Sequence, residues 1–220
     1  MVHDETGLSL RITRLVAPVT ALGPGHRVVL WVQGCDIGCV GCASVDTWDP
    51  SGGRVLATDE VAAAVAEQIR SGYLDGLTIT GGEPTNQPEA LSRLVREVRR
   101  LLDPELIDVL VFTGRTEAAA ARRAPELIAQ ADCVVAGPFR RDLPAAGRLV
   151  ASSNQVVNYR SPEARDRYAS WLAADGARLE VAVDEGAVLL IGIPNRGDLD
   201  DFELRLRDRG VGLDGVSWRP

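Results

Sequence analysis

The sequence predicts an α/β fold built around a parallel sheet, with a hairpin and a helix appended at the C-terminal end. Short runs of β-branched and aliphatic residues alternate with amphipathic helical stretches. The connections are two to six residues long, and Gly or Pro punctuates most of them, which is the pattern of right-handed crossovers. With 220 residues, 45% hydrophobic and 25% charged, the chain is long enough for one globular unit with a full core.

Leu8 to Val16 alternates apolar and charged residues as a half-buried strand does, and Gly23, Pro24 and Gly25 turn the chain after it. Val28 to Val32 is a buried strand. Thr58 is the expected N-cap of the first helix, Asp59 and Glu60 suit its dipole, and Val61, Val65 and Ile69 share one face. Gly72 is its expected left-handed stop. A strand at Leu77 to Thr80 precedes a helix over 88–102, with Leu91, Leu94, Val95 and Val98 inward. Ile107 to Phe112 is the next strand, followed by an alanine-rich helical stretch restarted at Pro125. Asp132 to Ala136 is another strand, and after a loop over 137–147 the segment SSNQVV, Ser152 to Val157, resumes the pattern. Pro162 to Leu172 reads as a helix, Leu179 to Val183 and Ala187 to Ile193 as a hairpin around Asp184, Glu185 and Gly186, and Leu199 to Arg209 as a last helix.

The net charge of −7 opposes a nucleic-acid groove, which needs a positive footprint over phosphate. No run approaches 18 apolar residues, so neither a membrane span nor a signal-peptide core is expected, and a cytoplasmic protein is. All 24 basic residues are arginine. Without lysine there is no phosphate-loop lysine, Schiff base or pyridoxal anchor.

Cys35, Cys39 and Cys42 fall within eight positions in the run WVQGCDIGCVGCASVDTWD. A zinc site needs a fourth ligand, and the other candidates, Cys133, His3 and His26, stand in no C-x-x-C or H-x3-H pair. An iron-sulfur cube held by three cysteines keeps one iron open for a substrate, whereas an electron carrier or a structural zinc fills four positions. Cys133, inside a strand, reads as core packing, and His26 as a surface residue. Trp31 and Trp48 flank the cysteine loop. The Arg99–Arg100, Arg122–Arg123 and Arg140–Arg141 pairs read as solvated charge. The cysteine loop, TGGEP, FTGR and AGPF all follow predicted strands, and in a barrel of alternating strands and helices that end is the catalytic face.

Together, GCDIGCVGC and TGGEP resemble the radical S-adenosylmethionine superfamily. GPGHRVVLWVQGCDIGCVGCASVDTWDP, ITGGEPTNQPEAL, VFTGRT, DCVVAGPF and ASSNQ are similar to the activating proteins of anaerobic ribonucleotide reductase and, more distantly, to pyruvate formate-lyase activating enzymes. The resemblance runs from about residue 20 to about 158. It implies a partial (β/α)6-type parallel barrel, with a radical core at 1–158 and a C-terminal extension at 159–220 packed on it.

It implies further that Cys35, Cys39 and Cys42 ligate a [4Fe-4S] cluster whose fourth iron chelates S-adenosylmethionine. Gly81, Gly82, Glu83 and Pro84 then hold the methionyl end, and Gly41 contacts the adenine. Reductive cleavage to a 5′-deoxyadenosyl radical, with an electron donor such as flavodoxin or ferredoxin, is expected to activate a glycyl-radical enzyme. Modification of a small molecule or ribosomal peptide is the alternative, and a non-catalytic electron carrier the third. Ala136 stands where the related motif has aspartate, Val40 replaces a common proline, and Ser153 and Asn154 are expected to face the site opening.

Overall fold

The computed structural model describes residues 7–102, 107–174, 176, 179–184, 187–213 and 215–218. The elements are β1 (Ser9–Val19), β2 (Arg27–Val32), β3 (Arg54–Ala57), α1 (Thr58–Gly72), β4 (Gly76–Gly81), α2 (Pro88–Leu101), β5 (Asp108–Thr113), α3 (Glu117–Arg123), α4 (Pro125–Gln130), β6 (Cys133–Ala136), β7 (Val156–Tyr159), α5 (Pro162–Ala173), β8 (Leu179–Asp184), β9 (Ala187–Gly192) and α6 (Asp198–Arg207).

The architecture is mixed α/β. Seven strands form one sheet in the order β3-β1-β2-β4-β5-β6-β7. Its four central strands, β2, β4, β5 and β6, are parallel neighbours. They are joined by connections that carry α1, α2 and the α3–α4 pair, as parallel pairing requires. β1, β3 and β7 add antiparallel edges.

Every residue of β2 is buried, because helices cover one face of the sheet and the C-terminal segment the other. On the first face Val28, Leu30, Val32, Leu77, Ile79 and Val111 meet the apolar stripes of α1, α2 and α4. Leu91, Leu94 and Val95 of α2 are fully buried, and each contributes about 1.5–3 kcal/mol relative to an exposed side chain. On the second face Tyr168 of α5 packs with Leu110, Cys133 and Val135, and Ile191 of β9 with Val19, Val29 and Trp31.

Several expectations are corrected. Ala57, not Thr58, is the N-cap of α1, and Tyr73, at φ 51°, takes the left-handed C-cap position expected of Gly72. Gly72 serves a different need: a Cβ there would lie 3.0 Å from Leu74 Cγ. β3, the short and largely exposed run RVLA, has too few buried positions to show a period. β7 starts later than expected and runs antiparallel to β6. The 137–155 connection, with Pro138, Pro144 and Gly147, forms no helix and returns at the same end of the sheet. Glu185 and Gly186 of the expected hairpin turn, and His3, lie outside the described residues.

Candidate functional site

A cavity of about 610 Å³ opens where the central parallel strands end. Cys35, Cys39, Cys42, Gly41, Gly81, Gly82 and Glu83 all line it. Pro84 does not line it; it is buried at the first position of a single 3-10 turn over Pro84–Asn86.

The backbone holds the cysteine loop in place. Gly34 N–H donates to Thr47 O at 2.8 Å and Cys35 N–H to Trp48 O at 3.0 Å, so the loop closes on itself. Within it, Cys42 N–H donates to Cys39 O at 3.1 Å. The buried Gln33 amide ties down the far side by donating to Asp46 O and Asp49 O.

The glycine turn meets the root of this loop. Gly82 N–H donates to Val32 O and Glu83 N–H to Gly34 O, each at 2.8 Å. A Cβ on Gly82 would lie 2.4 Å from Gly34 O, and one on Gly81, at φ 103°, 2.6 Å from Val32 N. Both glycines are therefore required by the approach of the cysteine-loop backbone.

Glu83 is 1% exposed, and protein donors surround it. Its Oε1 accepts from Thr85 N–H at 3.0 Å, the Thr85 hydroxyl at 2.6 Å and the Thr113 hydroxyl at 2.8 Å. Its Oε2 accepts from Gly114 N–H at 2.9 Å. A carboxylate has about four lone-pair sites, so the remaining capacity lies on Oε2.

The sulfurs are half-buried. Ser44 N–H donates to Cys42 Sγ at 3.4 Å, and the Trp48 side chain and the Phe139 backbone are further polar neighbours that lower the Cys42 and Cys39 thiols. Burial pushes the Cys39 and Cys42 thiols up; these contacts pull them down, and neighbouring thiolate charge adds to the rise. Three thiols open to one cavity, two of them raised by burial and by a neighbouring thiolate and one of them bonded by an N–H group, fit an iron-sulfur cluster, whose iron neutralises the thiolates and whose potential such bonds tune. Among the described residues no three His, Cys, Asp or Glu side chains meet at single-ion distance.

Around this centre are residues that sequence reasoning missed. Arg115 donates to both oxygens of Asp36, at 2.7 Å each, and its Nε donates to Thr85 Oγ1 at 2.9 Å. Burial raises the Asp36 carboxyl, but hydrogen bonds from Asn86 and Arg115 and the Arg115 charge outweigh it and hold its pKa below the ordinary value. Arg123, expected as solvated charge, donates to Thr85 O and Asn86 Oδ1. Gln155 lines the cavity and braces the 137–155 loop, donating to Gly137 O. The FTGR and ASSNQ motifs were the sequence signals for Arg115 and Gln155.

Other expected residues fall elsewhere. Ser153 and Asn154 do not line the cavity; Asn154 donates instead to Pro138 O at 2.8 Å. Cys133 lies fully buried at the amino end of β6, away from the strand ends that carry the cavity. His26 is exposed on the β1–β2 connection, its N–H bonded to Asp75. Val40, at 76% exposure, stands out from the loop, and Ala136 is buried at the end of β6. Trp31 and Trp48 both line the cavity, with Arg14 over the Trp31 ring at 5.7 Å.

The C-terminal segment supplies about a third of the lining, including Ile193, Arg196, Leu199, Ser217 and Trp218. Glu180 accepts from Thr20 N–H at 2.9 Å and Ala21 N–H at 3.2 Å, which fastens the hairpin to the end of β1.

The chain matches the model of the 4Fe-4S single cluster domain over residues 21–158. It is 33% identical over 135 residues to the anaerobic ribonucleoside-triphosphate reductase-activating protein of Enterobacteria phage T4, covering 60% of this chain and 83% of that one. To the protein of the same name from Vibrio cholerae serotype O1 it is 30% identical over 141 residues, covering 62% and 89%. To the pyruvate formate-lyase-activating enzyme of Clostridium pasteurianum it is 36% identical over 78 residues, covering 34% and 32%.

Proposed function

We propose, since the chain belongs to the 4Fe-4S single cluster domain family, that it is a radical S-adenosylmethionine enzyme of the activase type. In this reading it activates a partner protein by making a glycyl radical. The observation that carries the reading is the meeting of the Cys35, Cys39 and Cys42 thiols with the Gly81–Glu83 turn on one cavity.

When bound through the three cysteines, a reduced [4Fe-4S] cluster supplies the electron that splits S-adenosylmethionine into methionine and a 5′-deoxyadenosyl radical. The chain's own part is to bind and to shield. Glu83 Oε2 would offer the methionyl ammonium an acceptor, the Gly81–Gly82 backbone would stand beside it, held against Val32 and Gly34 because neither glycine carries a Cβ, and Pro84 would stiffen the turn. Gly41, at φ 79°, would meet the adenine with its backbone, next to Arg141 and Phe139, whose side chains lie 3.0 and 3.6 Å from the place a Cβ would take. Trp31, Trp48 and Phe112 exclude water from this wall of the cavity. Cys133, at the opposite end of its strand, is badly placed as a fourth ligand, which weighs against a plain electron carrier.

The same reading takes the central parallel strands as part of an open (β/α)6-type barrel. It takes residues 1–158 as the radical core, with 159–220 as an extension closing one side, and a flavodoxin or ferredoxin in the cytoplasm as the electron donor. A second reading, hydrogen abstraction from a small molecule or ribosomal peptide, is favoured by one observation: the extension walls the cavity and narrows what can enter. Anaerobic reconstitution with iron and sulfide, then dithionite and S-adenosylmethionine, tests both readings. The expected result is 5′-deoxyadenosine, lost when any of the three cysteines is changed to alanine. A cluster with four protein ligands, indifferent to S-adenosylmethionine, overturns the proposal. A persistent glycyl-radical signal on a co-incubated partner separates the first reading from the second.

A further inference from the structure

The cysteine loop is attached to the glycine turn at two points, one on each side of Cys35. The root is held by backbone, through the bond from Glu83 N–H to Gly34 O. The far point is made by side chains. Asp36 accepts two contacts from Arg115 at 2.7 Å, one on each oxygen, and a third from Asn86 Nδ2 at 3.0 Å. Arg115 Nε donates to Thr85 Oγ1, and that hydroxyl's single proton goes on to Glu83 Oε1 at 2.6 Å. Arg115 N–H donates to Thr113 Oγ1 at 3.1 Å, and the Thr113 hydroxyl also donates to Glu83 Oε1. One residue thus joins the loop between two of the cysteines and the turn after Glu83, through its guanidinium, to the end of β5, through its backbone N–H. The loop's other bonds, such as Cys35 N–H to Trp48 O and Val45 N–H to Ser217 O, tie it to itself and to the C-terminal segment; the Asp36 bonds fix its angle to the turn that carries Glu83.

We infer that Arg115 is a positioning residue for S-adenosylmethionine binding: through Asp36 and Thr85 it holds the three thiols and the Glu83 carboxylate in one fixed arrangement. The inference rests on the proposed function. Its strength does not come from the ion pair itself, because Asp36 is 51% and Arg115 21% exposed, and such a pair adds only about 0–1 kcal/mol to stability. The consequence falls on binding, where a small misplacement is costly. Lysine is a poor substitute, since one ammonium cannot span both Asp36 oxygens and Thr85.

The test uses the reconstituted full chain and S-adenosylmethionine as the probe, comparing wild type with Arg115→Ala, Arg115→Lys, Asp36→Ala and the double alanine variant. We expect iron content and the cluster spectrum without S-adenosylmethionine to stay at wild-type values, and the melting temperature to fall by no more than about 4 °C. The Kd for S-adenosylmethionine should weaken about tenfold or more in each single variant, with little rescue by lysine. The perturbation of the reduced-cluster EPR signal by added S-adenosylmethionine should shrink in parallel. The double variant should fall well short of the sum of the single effects, because both remove the Arg115–Asp36 link, although Asp36→Ala also loses the Asn86 bond and Arg115→Ala the Thr85 bond. Affinity within twofold of wild type in both single variants overturns the inference, as does full rescue by lysine, a loss of iron that accompanies the loss of affinity, or additive effects in the double variant. Should Arg115→Ala not fold, Arg115→Gln and Asp36→Asn take its place under the same criteria. A wild-type protein that assembles no cluster responsive to S-adenosylmethionine refutes the proposed function itself, and is told apart because the failure then precedes any substitution.

Discussion

Ser217 straps the cysteine loop: its hydroxyl donates to Ala43 O at 2.9 Å, and its carbonyl accepts from Val45 N–H at 2.8 Å. Ala43 follows Cys42 directly. The strap is steadied by Trp218, whose indole donates to Glu203 on α6 at 2.7 Å. Ser217→Ala removes the side-chain bond and keeps the backbone one, a loss of about 0.5–1.5 kcal/mol. The expected outcome is a severalfold faster loss of iron from the reconstituted protein to a chelator, with a melting temperature lower by only a few degrees. An unchanged rate of iron loss refutes the strap's role in covering the loop.

Two glycines of the site make opposite predictions. Gly82→Ala places a Cβ 2.4 Å from the Gly34 carbonyl oxygen, a backbone atom that has no free rotation, so the turn must part from the cysteine loop at about 1–3 kcal/mol. S-adenosylmethionine binding should be lost while the core stays folded. Around Gly38, at φ 63°, no atom lies within 4 Å of the place a Cβ would take, so Gly38→Ala costs only the left-handed conformation, about 1–2 kcal/mol. Cluster assembly, read by absorbance, should survive it.

Burial pushes the Cys133 thiol up to about 12. At pH 8 about one Cys133 in ten thousand is then a thiolate, so alkylation of the folded apo protein should spare Cys133 and label it only after denaturation. Mass spectrometry of the labelled peptides checks this; rapid labelling of Cys133 in the native state contradicts it. The sign for stability follows. The unfolded thiol ionises near 9 and the folded one does not, so the contribution of the neutral buried thiol is complete below pH 9 and is lost as pH rises toward 12.

Arg27 is fully buried and pairs with Asp108 at 2.8 Å, and Asp108 also accepts from the Tyr168 hydroxyl at 2.7 Å. Asp108→Ala leaves the guanidinium without its countercharge, and a loss of about 3–5 kcal/mol is expected in urea unfolding. Because the pair lies at the amino ends of β2 and β5, away from the cavity, whatever variant remains folded should still bind a cluster. Loss of cluster binding by a folded variant contradicts that separation.

Long apolar runs made the strands of the central sheet legible. Val28–Val32 and Ile107–Phe112 are buried on both faces, so every position carries signal, and α2 shows its inward stripe plainly. β3 was illegible because four residues at an exposed edge bury almost nothing. Tyr73 was illegible for another reason: Leu74 needs the space at Gly72, and only packing reveals that need. In the site, the cysteine spacing and the Gly81–Pro84 turn were legible because each works within a few consecutive residues. Arg123 was not, since nothing in its own neighbourhood shows that it reaches Thr85 O and Asn86 Oδ1, and at ASSNQ the motif was legible but its cavity-lining residue, Gln155 rather than Ser153 or Asn154, was not.

The chain's local order determined the fold class, the thiol triad, the close-approach glycines and the strand ends that carry them, because periodicity and turn chemistry act over a handful of residues. Packing alone decided that Arg115 reaches Asp36 across 79 positions and that Ser217 reaches Ala43 across 174. It also decided that the second face of the sheet is closed by the segment beyond Tyr159. Such contacts depend on where whole elements come to rest once their apolar faces are buried, and that is a property of the assembled core.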